Sequence, residues 1–490
     1  METPSRGGGQ RPMSRQSRVI LFAAIGLAGL PVLLGAAVLV LVNTRAYQSR
    51  LEATMSEALG MQISAGGRLG FAFSPGLTVT LADVHIRNRG TEIASAKQAR
   101  FWIELPPLLK RQVRIDKIAL DRAWISVERS SDGRFSFEAA PEAAEKALPT
   151  VDWPIVSAPD ATFLYADKRS GAAVQFEAGE CRLEVQRLLL PGGKRSSLMK
   201  NLSFTAQLAC AKVRRNDFEV SDLKVAVTAK EGLFALDPVA LRIFGTDGTG
   251  MARADFSGSV PRFQIRYSLP QFPIEEFVKT MSRQKVAVGR MDFSASLEMQ
   301  GDTTKQLRQT TKGTISLRGK NFRLLGGDLD RQFSRFESSQ NFNLADVGAF
   351  FFAGPLGLVV TKGFNFATVL QGKGDSSEIR TLVSDWKVEH GVAQAQDVAM
   401  ATKENRIALH GGLDFVNDRF NDVTVALVDP KGCAIVRQAI RGSFEHPVVE
   451  QPSVVKSLAG SALGLLRKGR DLFLGKQCDA FYAGSVKASN

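Results

Sequence analysis

The chain has 490 residues, 44% hydrophobic and 23% charged, a composition that excludes intrinsic disorder. Its length exceeds one ordinary core and predicts roughly three domains or one elongated repetitive body. Lys plus Arg number 63 against 49 Asp plus Glu, and 31 Phe stand against 4 Tyr and 4 Trp, so most rings need no hydrogen-bond partner and suit a dry interior.

The first predicted element is a membrane anchor. Residues 1–18 contain Arg6, Arg11, Arg15 and Arg18, and residues 19–42, beginning "VILFAAIGLAGLPVLLGAAVLV", contain no charge. At about 1.5 Å per residue this run spans a hydrocarbon layer of about 30 Å with some tilt. Only Arg45 and Arg50 follow closely, so the positive-inside rule keeps residues 1–18 in the cytoplasm. A cleaved signal peptide has an apolar region about half this length, so the segment reads as an uncleaved signal anchor with nearly all the chain beyond the membrane. There a basic surface faces anionic headgroups or solvent, and nucleic acid is not expected as a partner.

Residues 43–140 predict a helix followed by a β-domain. Tyr47, Leu51, Met55, Ala58 and Leu59 share one helical face and Gly60 supplies the stop. In "GLTVTLADVHIRN" Leu77, Val79 and Leu81 alternate with polar or small residues, but after Asp83 the apolar positions are Val84 and Ile86. That change of parity predicts one extra residue, as a bulge or short turn. "RIDKIALDRAWISVER" continues the β pattern, and residues 141–160, rich in Ala, Glu and Pro, read as a linker.

The middle segment, residues 161–253, holds "CRLEVQRLLL", "LSFTAQLACAKV" and "DFEVSDLKVAVTA", all with period two. Its "FGTDGTG" has the glycine density of a nucleotide loop, but strand-like "MARADFSG" follows where a helix should, so it reads as a turn between strands. Residues 254–490 form the last segment. "PIEEFVKTMS" predicts a short helix, Val347 to Val360 an apolar stretch too short and too broken by Gly354 and Pro355 to span a bilayer, and Ser453 the cap of a final helix with Arg467, Lys468 and Arg470 in its last turns.

One device recurs. "LADVHI", "VSDLKV", "AQDVAM" and "FNDVTV" each place an Asp (Asp83, Asp222, Asp397, Asp422) before two apolar residues separated by one. Asp bonds its own backbone and tolerates irregular dihedrals, so each is expected at a turn or bulge where a strand begins. The irregular spacing argues for a meandering antiparallel sheet over a solenoid of fixed period. Cys181, Cys210, Cys433 and Cys478 all follow the anchor and form no C-x-x-C pair, which favours two disulfides in an oxidising compartment; chain order favours Cys181 with Cys210 and Cys433 with Cys478 among three possible pairings.

No H-E-x-x-H, G-x-S-x-G or phosphate-loop motif occurs, and no catalytic, metal or cofactor residue is expected. His85 lies in the polar phase of a strand, where a surface position is expected, and Asp328 and Asp330 in "GGDLD" are adjacent loop acids with no visible partner.

Taken together, the anchor, "ALGMQISAGGRLGFAFSPGLTVTLADVHIRN", "RFWIELPPLLKRQVRIDKIALDRAWISVERSSDGRFSFE" and "GTISLRGKNFRLLGGDL" resemble the AsmA family of bacterial envelope proteins, in the family's order. The "SDGRFSFE" that ends the second stretch departs from the family's "d-G-x-x-n-w", with Phe135 and Phe137 and no Trp. The resemblance implies a single-pass inner-membrane protein projecting into the periplasm and contributing to outer-membrane assembly. It also implies a mainly β fold with some α, an elongated, curled antiparallel sheet forming an open trough flanked by a few helices. In such a trough Leu77, Val79 and Leu81, with Phe204, Ala206 and Leu208, face phospholipid acyl chains. The alternative is a scaffold that moves no lipid and binds other envelope proteins through edge strands.

Overall fold

In a computed structural model of the chain, the described residues are 61–136, 147–279, 287–333, 376–454 and 478–488, with short gaps inside the first three ranges, and a few positions between 49 and 56. The predicted anchor, the apolar stretch from Val347 to Val360 and nearly all of the last predicted helix lie outside them. So do Tyr47, Leu51, Met55, Ala58 and Leu59, although Ser49, Glu52, Ala53 and Ser56 between them are helical. Among the described residues no helix is long and apolar enough to cross a membrane.

One 22-stranded sheet dominates, open and curled. Strands β1 (Gln62–Ala65) and β2 (Gly70–Ala72) lie along β3 (Leu77–Asn88), which pairs with β4 (Thr91–Ile103), and β4 with β5 (Ile115–Arg129). Next come β7 (Val151–Asp167), β8 (Val174–Leu190), β10 (Ser203–Arg215), β11 (Phe218–Lys230), β12 (Leu233–Ile243), β13 (Thr246–Asp255) and β14 (Arg262–Pro273). Beyond β14 follow β16 (Arg290–Gln300), β17 (Lys312–Leu325), β18 (Ser376–Glu389), β19 (Val392–Ala401), β20 (Arg406–Asp414), β21 (Arg419–Val428) and β22 (Ala434–Gly442). Short β15 (Ala287–Val288) flanks β17, while β23 (Pro447–Val449) and β24 (Ser453–Val454) lie on β22; β6 (Ala147–Leu148) and β9 (Gly193–Lys194) form a separate ladder. The helices are short: α1 (Leu105–Leu109), α2 (Leu198–Asn201), α3 (Ile274–Lys279) and α4 (Thr304–Thr310).

Four expectations need correction. The sheet is not wholly antiparallel, because β7 starts at the same end of the sheet as β5 and pairs with it in parallel. The linker assigned to residues 141–160 is strand from Val151 onward. Its prolines read as breakers, yet Pro159 falls in a register shift against β8, where no ladder donor is lost. The boundary at residue 254 falls inside β13, which is paired on both sides, so the sheet crosses it unbroken. Ser453 caps no helix; it begins β24 and pairs with Arg437.

The parity change in β3 has a different cause from the one expected. Ala82 pairs with Gln98 and Val84 with Ala96, so no residue is inserted against β4; instead Asp83 takes a left-handed conformation, φ 55°. One left-handed residue turns the strand so that Leu81 and Val84 enter the same cluster despite opposite parity. The device sits inside strands, not at their starts. Arg122 in β5, Glu180 in β8 and Asp222 in β11 share it, at φ 46°, 53° and 53°, and the registers through β4, β7 and β10 align them into one crease across the sheet. Small residues line its inner side, Ala123, Ala158, Ala161 and the Cys181–Cys210 disulfide, because the inside of a bend has little room. Asp422 repeats the device in β21 at φ 50°, and Asp397 flanks a register shift in β19. Asp83→Val is expected to lower the unfolding free energy by about 1–2 kcal/mol, and Asp83→Gly to leave it nearly unchanged, in urea titrations, since only the β-branched side chain resists a left-handed backbone.

The curl carries the end of β5 to the loop before α4, where the Arg129 Nη2 donates to the Asp302 carbonyl at 3.1 Å. Beyond β14 the inner face is a filled core: Phe272, Phe277, Phe322, Leu324, Ile379 and Ile407 are all 0–1% exposed.

Candidate functional site

From β3 to β14 the inner face is apolar but only partly covered. Leu77 and Val79 are half-buried and Leu81 is buried against Leu69 and Ala99. Five strand steps away, about 24 Å at the usual spacing, Phe204 and Leu208 are half-buried on the same face. Leu120 of β5 touches both the cluster of Leu81 and that of Leu208, so the sequence-predicted residues lie on one continuous surface. Further along, Phe176 and Ile265 are 36% and 40% exposed.

Two rows of phenylalanine bound this surface. Phe204, Phe234, Phe256 and Phe263 meet edge to face with centroids 6.2, 5.5 and 5.9 Å apart, at one end of the strands. At the other end Phe218, Phe244 and Phe277 do the same at 6.0 and 5.4 Å. Each such pair adds about 0.5–1.5 kcal/mol beyond its buried area, so the rows stiffen the margins while the floor between them stays shallow. That floor includes Ala206, Val225, Val227 and the last two of the three glycines of "FGTDGTG". Gly248 and Gly250 of β13 lie beneath the Tyr267 ring, which any Cβ there would strike. The glycines thus shape the inner face and cradle no phosphate. Burial pushes the Tyr267 phenol up to about 12, so it stays a neutral part of the wall, its hydroxyl donating to the Leu241 carbonyl at 3.4 Å. Apart from the total of 31, nothing in the sequence marked these Phe; their alignment depends on pairing registers that local patterns do not encode.

The candidate His85, Asp328 and Asp330 are occupied structurally. His85 Nδ1 meets Glu92 Oε1 at 2.9 Å and Nε2 meets Asp83 Oδ1 at 3.2 Å, so Glu92 first and Asp83 second hold the imidazole above its ordinary pKa. Asp328 accepts from the Arg331 backbone N–H, and Asp330 from the Thr402 hydroxyl and the Asn405 amide. Among the described residues no cluster of His, Cys, Asp and Glu is arranged to hold a metal ion. Cys181 is bonded to Cys210 directly across β8 and β10, and Cys433 to Cys478.

An open curled sheet, greasy on its inner face and closed by a filled core at one end, defines an elongated β-groove protein. Residues 13–184 match the AsmA family, which supports an AsmA-family protein and suggests an envelope-related role. No curated protein matches the chain significantly.

Proposed function

We propose that the chain is anchored in the inner membrane by residues 19–42, projects into the periplasm, and serves envelope biogenesis by holding phospholipid acyl chains along its inner face, without catalysis. The observation that carries this reading is the contrast between the two parts of one sheet. From β3 to β14 apolar side chains remain partly exposed between two Phe rows, whereas beyond β14 the same face is packed dry. An unfilled apolar surface of this extent favours a ligand with apolar bulk. Each methylene laid on it gains about 0.8 kcal/mol, and with no single specific contact to break a chain is held yet slides. The two disulfides suit an oxidising compartment.

The test uses the full chain in cells, with the photoreactive residue benzoylphenylalanine placed at Val79, Leu208 or Ile265 on the inner face, and at Gln207 or Lys224 on the outer. Phospholipid adducts on illumination are expected at the first three positions and not at the last two. Adducts absent from all five, or equal on both faces, would sink the reading; protein adducts at the inner positions would favour the scaffold.

A further inference from the structure

The outer face of β16, β17 and β18 carries a concentration of positive charge that the groove does not use. The registers place Arg290 of β16 beside Lys320 of β17, and Lys320 against Thr381, next to Arg380 of β18. The inner face of these strands is taken by Met291, Leu317, Phe322 and Ile379, so the three cations project to the other side. The segment at residues 478–488, crossing that outer face, adds Lys487. The four cations border a cavity of about 740 Å³, whose wall also includes the side chains of Thr381 and Ser485.

Little negative charge answers them. Asp292 is the acid in the wall, and it accepts from the backbone and side-chain N–H groups of Gln271 at 2.9 and 3.0 Å and stands opposite Arg318, which is itself bonded to Asp385. Among the described residues no carboxylate forms an ion pair with Arg290, Lys320, Arg380 or Lys487. The Arg290 guanidinium is steadied by donating to the Gln271 carbonyl at 2.8 Å. Like charges opposite one another on neighbouring strands destabilise a sheet, and a recess lessens the water that would screen them. An oxyanion bound between them removes that repulsion.

We propose that this recess binds a phosphate group, with the two guanidiniums of Arg290 and Arg380 as planar forks, the ammoniums of Lys320 and Lys487 as point charges, and the Thr381 hydroxyl as a further donor. The volume exceeds that of phosphate alone and lies within the range of small-molecule sites, so a phosphate ester fits, its substituent against Val383 and Ala401. Lys487 belongs to a segment pinned at Asp397 by Tyr482 and Ser485, so the site is complete only while that segment is docked. The groove lies elsewhere, on the inner face from β3 to β14, and the face behind the recess is filled core, so the two sites stand or fall separately.

The test is isothermal titration of the full chain in a nonionic detergent with two probes: inorganic pyrophosphate and dihexanoyl phosphatidic acid. Saturable binding of at least one is expected; pyrophosphate alone identifies a free phosphate compound as the source, and phosphatidic acid alone a lipid headgroup. The double variant Lys320→Gln/Arg380→Gln should bind about tenfold more weakly. Lys487→Gln, which touches no strand packing, should bind severalfold more weakly. The proposal is overturned if neither probe saturates, or if either variant binds as tightly as the unaltered chain.

Discussion

Phe272→Ala is expected to lower the unfolding free energy by about 3–5 kcal/mol, whereas Ile265→Ala, seven residues earlier on the same strand and the same face, is expected to change it by less than about 0.5 kcal/mol. The two positions straddle the place where the groove ends. Ile265 is 40% exposed and stands between Ala252 and Leu297 on the neighbouring strands. Gln271, left-handed at φ 49°, then turns β14, and Phe272 enters the core at 1% exposure, against Phe244 at 5.9 Å and Phe277 at 6.4 Å. Removing its ring empties a space lined by α3 and β16 that cannot collapse, because both are fixed by pairing or by their own buried residues, Ile274 and Met291. Urea titration followed by Trp fluorescence measures both variants. Equal and small effects would mean that the inner face is no drier beyond β14 than before it, and the distinction between groove and core would fail.

Much of this architecture was legible in the chain because period-two alternation is a local signal. β3, β5, β8, β10 and β11 were all readable from their own residues, and the short helix at Ile274–Lys279 from Glu275, Glu276 and the preceding proline. The Asp device was readable too, but its place was not. A polar residue with apolar neighbours marks the end of a strand as naturally as a crease within one, and only the pairing of Ala82 with Gln98 and Val84 with Ala96 decides for the crease. The parallel joining of β5 to β7 was hidden for a similar reason: Pro154 and Pro159 are local breakers, and the partner that tolerates them lies far along the sequence. Of the groove, Leu77, Val79, Leu81, Phe204 and Leu208 could be named because they alternate. The Phe rows could not, since Phe204, Phe234, Phe256 and Phe263 become neighbours through four successive registers. The basic recess was invisible for the same reason, as its cations without an ion pair come one each from β16, β17, β18 and the segment at 478–488.

Replacing Cys433 and Cys478 by Ser is expected to cost about 4 kcal/mol on the chain-entropy estimate for a closed loop of this length, and to free the segment at 478–488 before the sheet itself opens. The bond spans 45 positions of sequence. What it tethers is small but specific. Tyr482 and Val486 cover a patch of alanines on the outer face, Ala399, Ala401, Ala408, Ala426 and Ala434, whose short side chains leave room for the segment to lie close. Arg406 stacks its guanidinium 5.4 Å from the Tyr482 ring centroid and donates to the Val486 carbonyl at 3.0 Å, while Asp397 accepts from the Tyr482 hydroxyl and from Ser485. Burial pushes the Asp397 carboxyl up, but the hydrogen bonds from Ser485 and Tyr482 outweigh it and hold the group below its ordinary pKa of 3.8. Because its folded pKa is lowered, the stabilisation is present above pH 3.8 and is lost as pH falls through the folded value. The Asp397 contacts are therefore at full strength at neutral pH and weaken only in acid below pH 3.8. Hydrogen exchange at pH 7 should show the amides of residues 478–488 losing protection in the Cys433→Ser/Cys478→Ser variant, with β17 and β18 retaining theirs. Loss of protection throughout β17–β22 would mean that the sheet depends on the segment for its stability, and retained protection at 478–488 would mean that Asp397 and Arg406 hold it without the covalent bond.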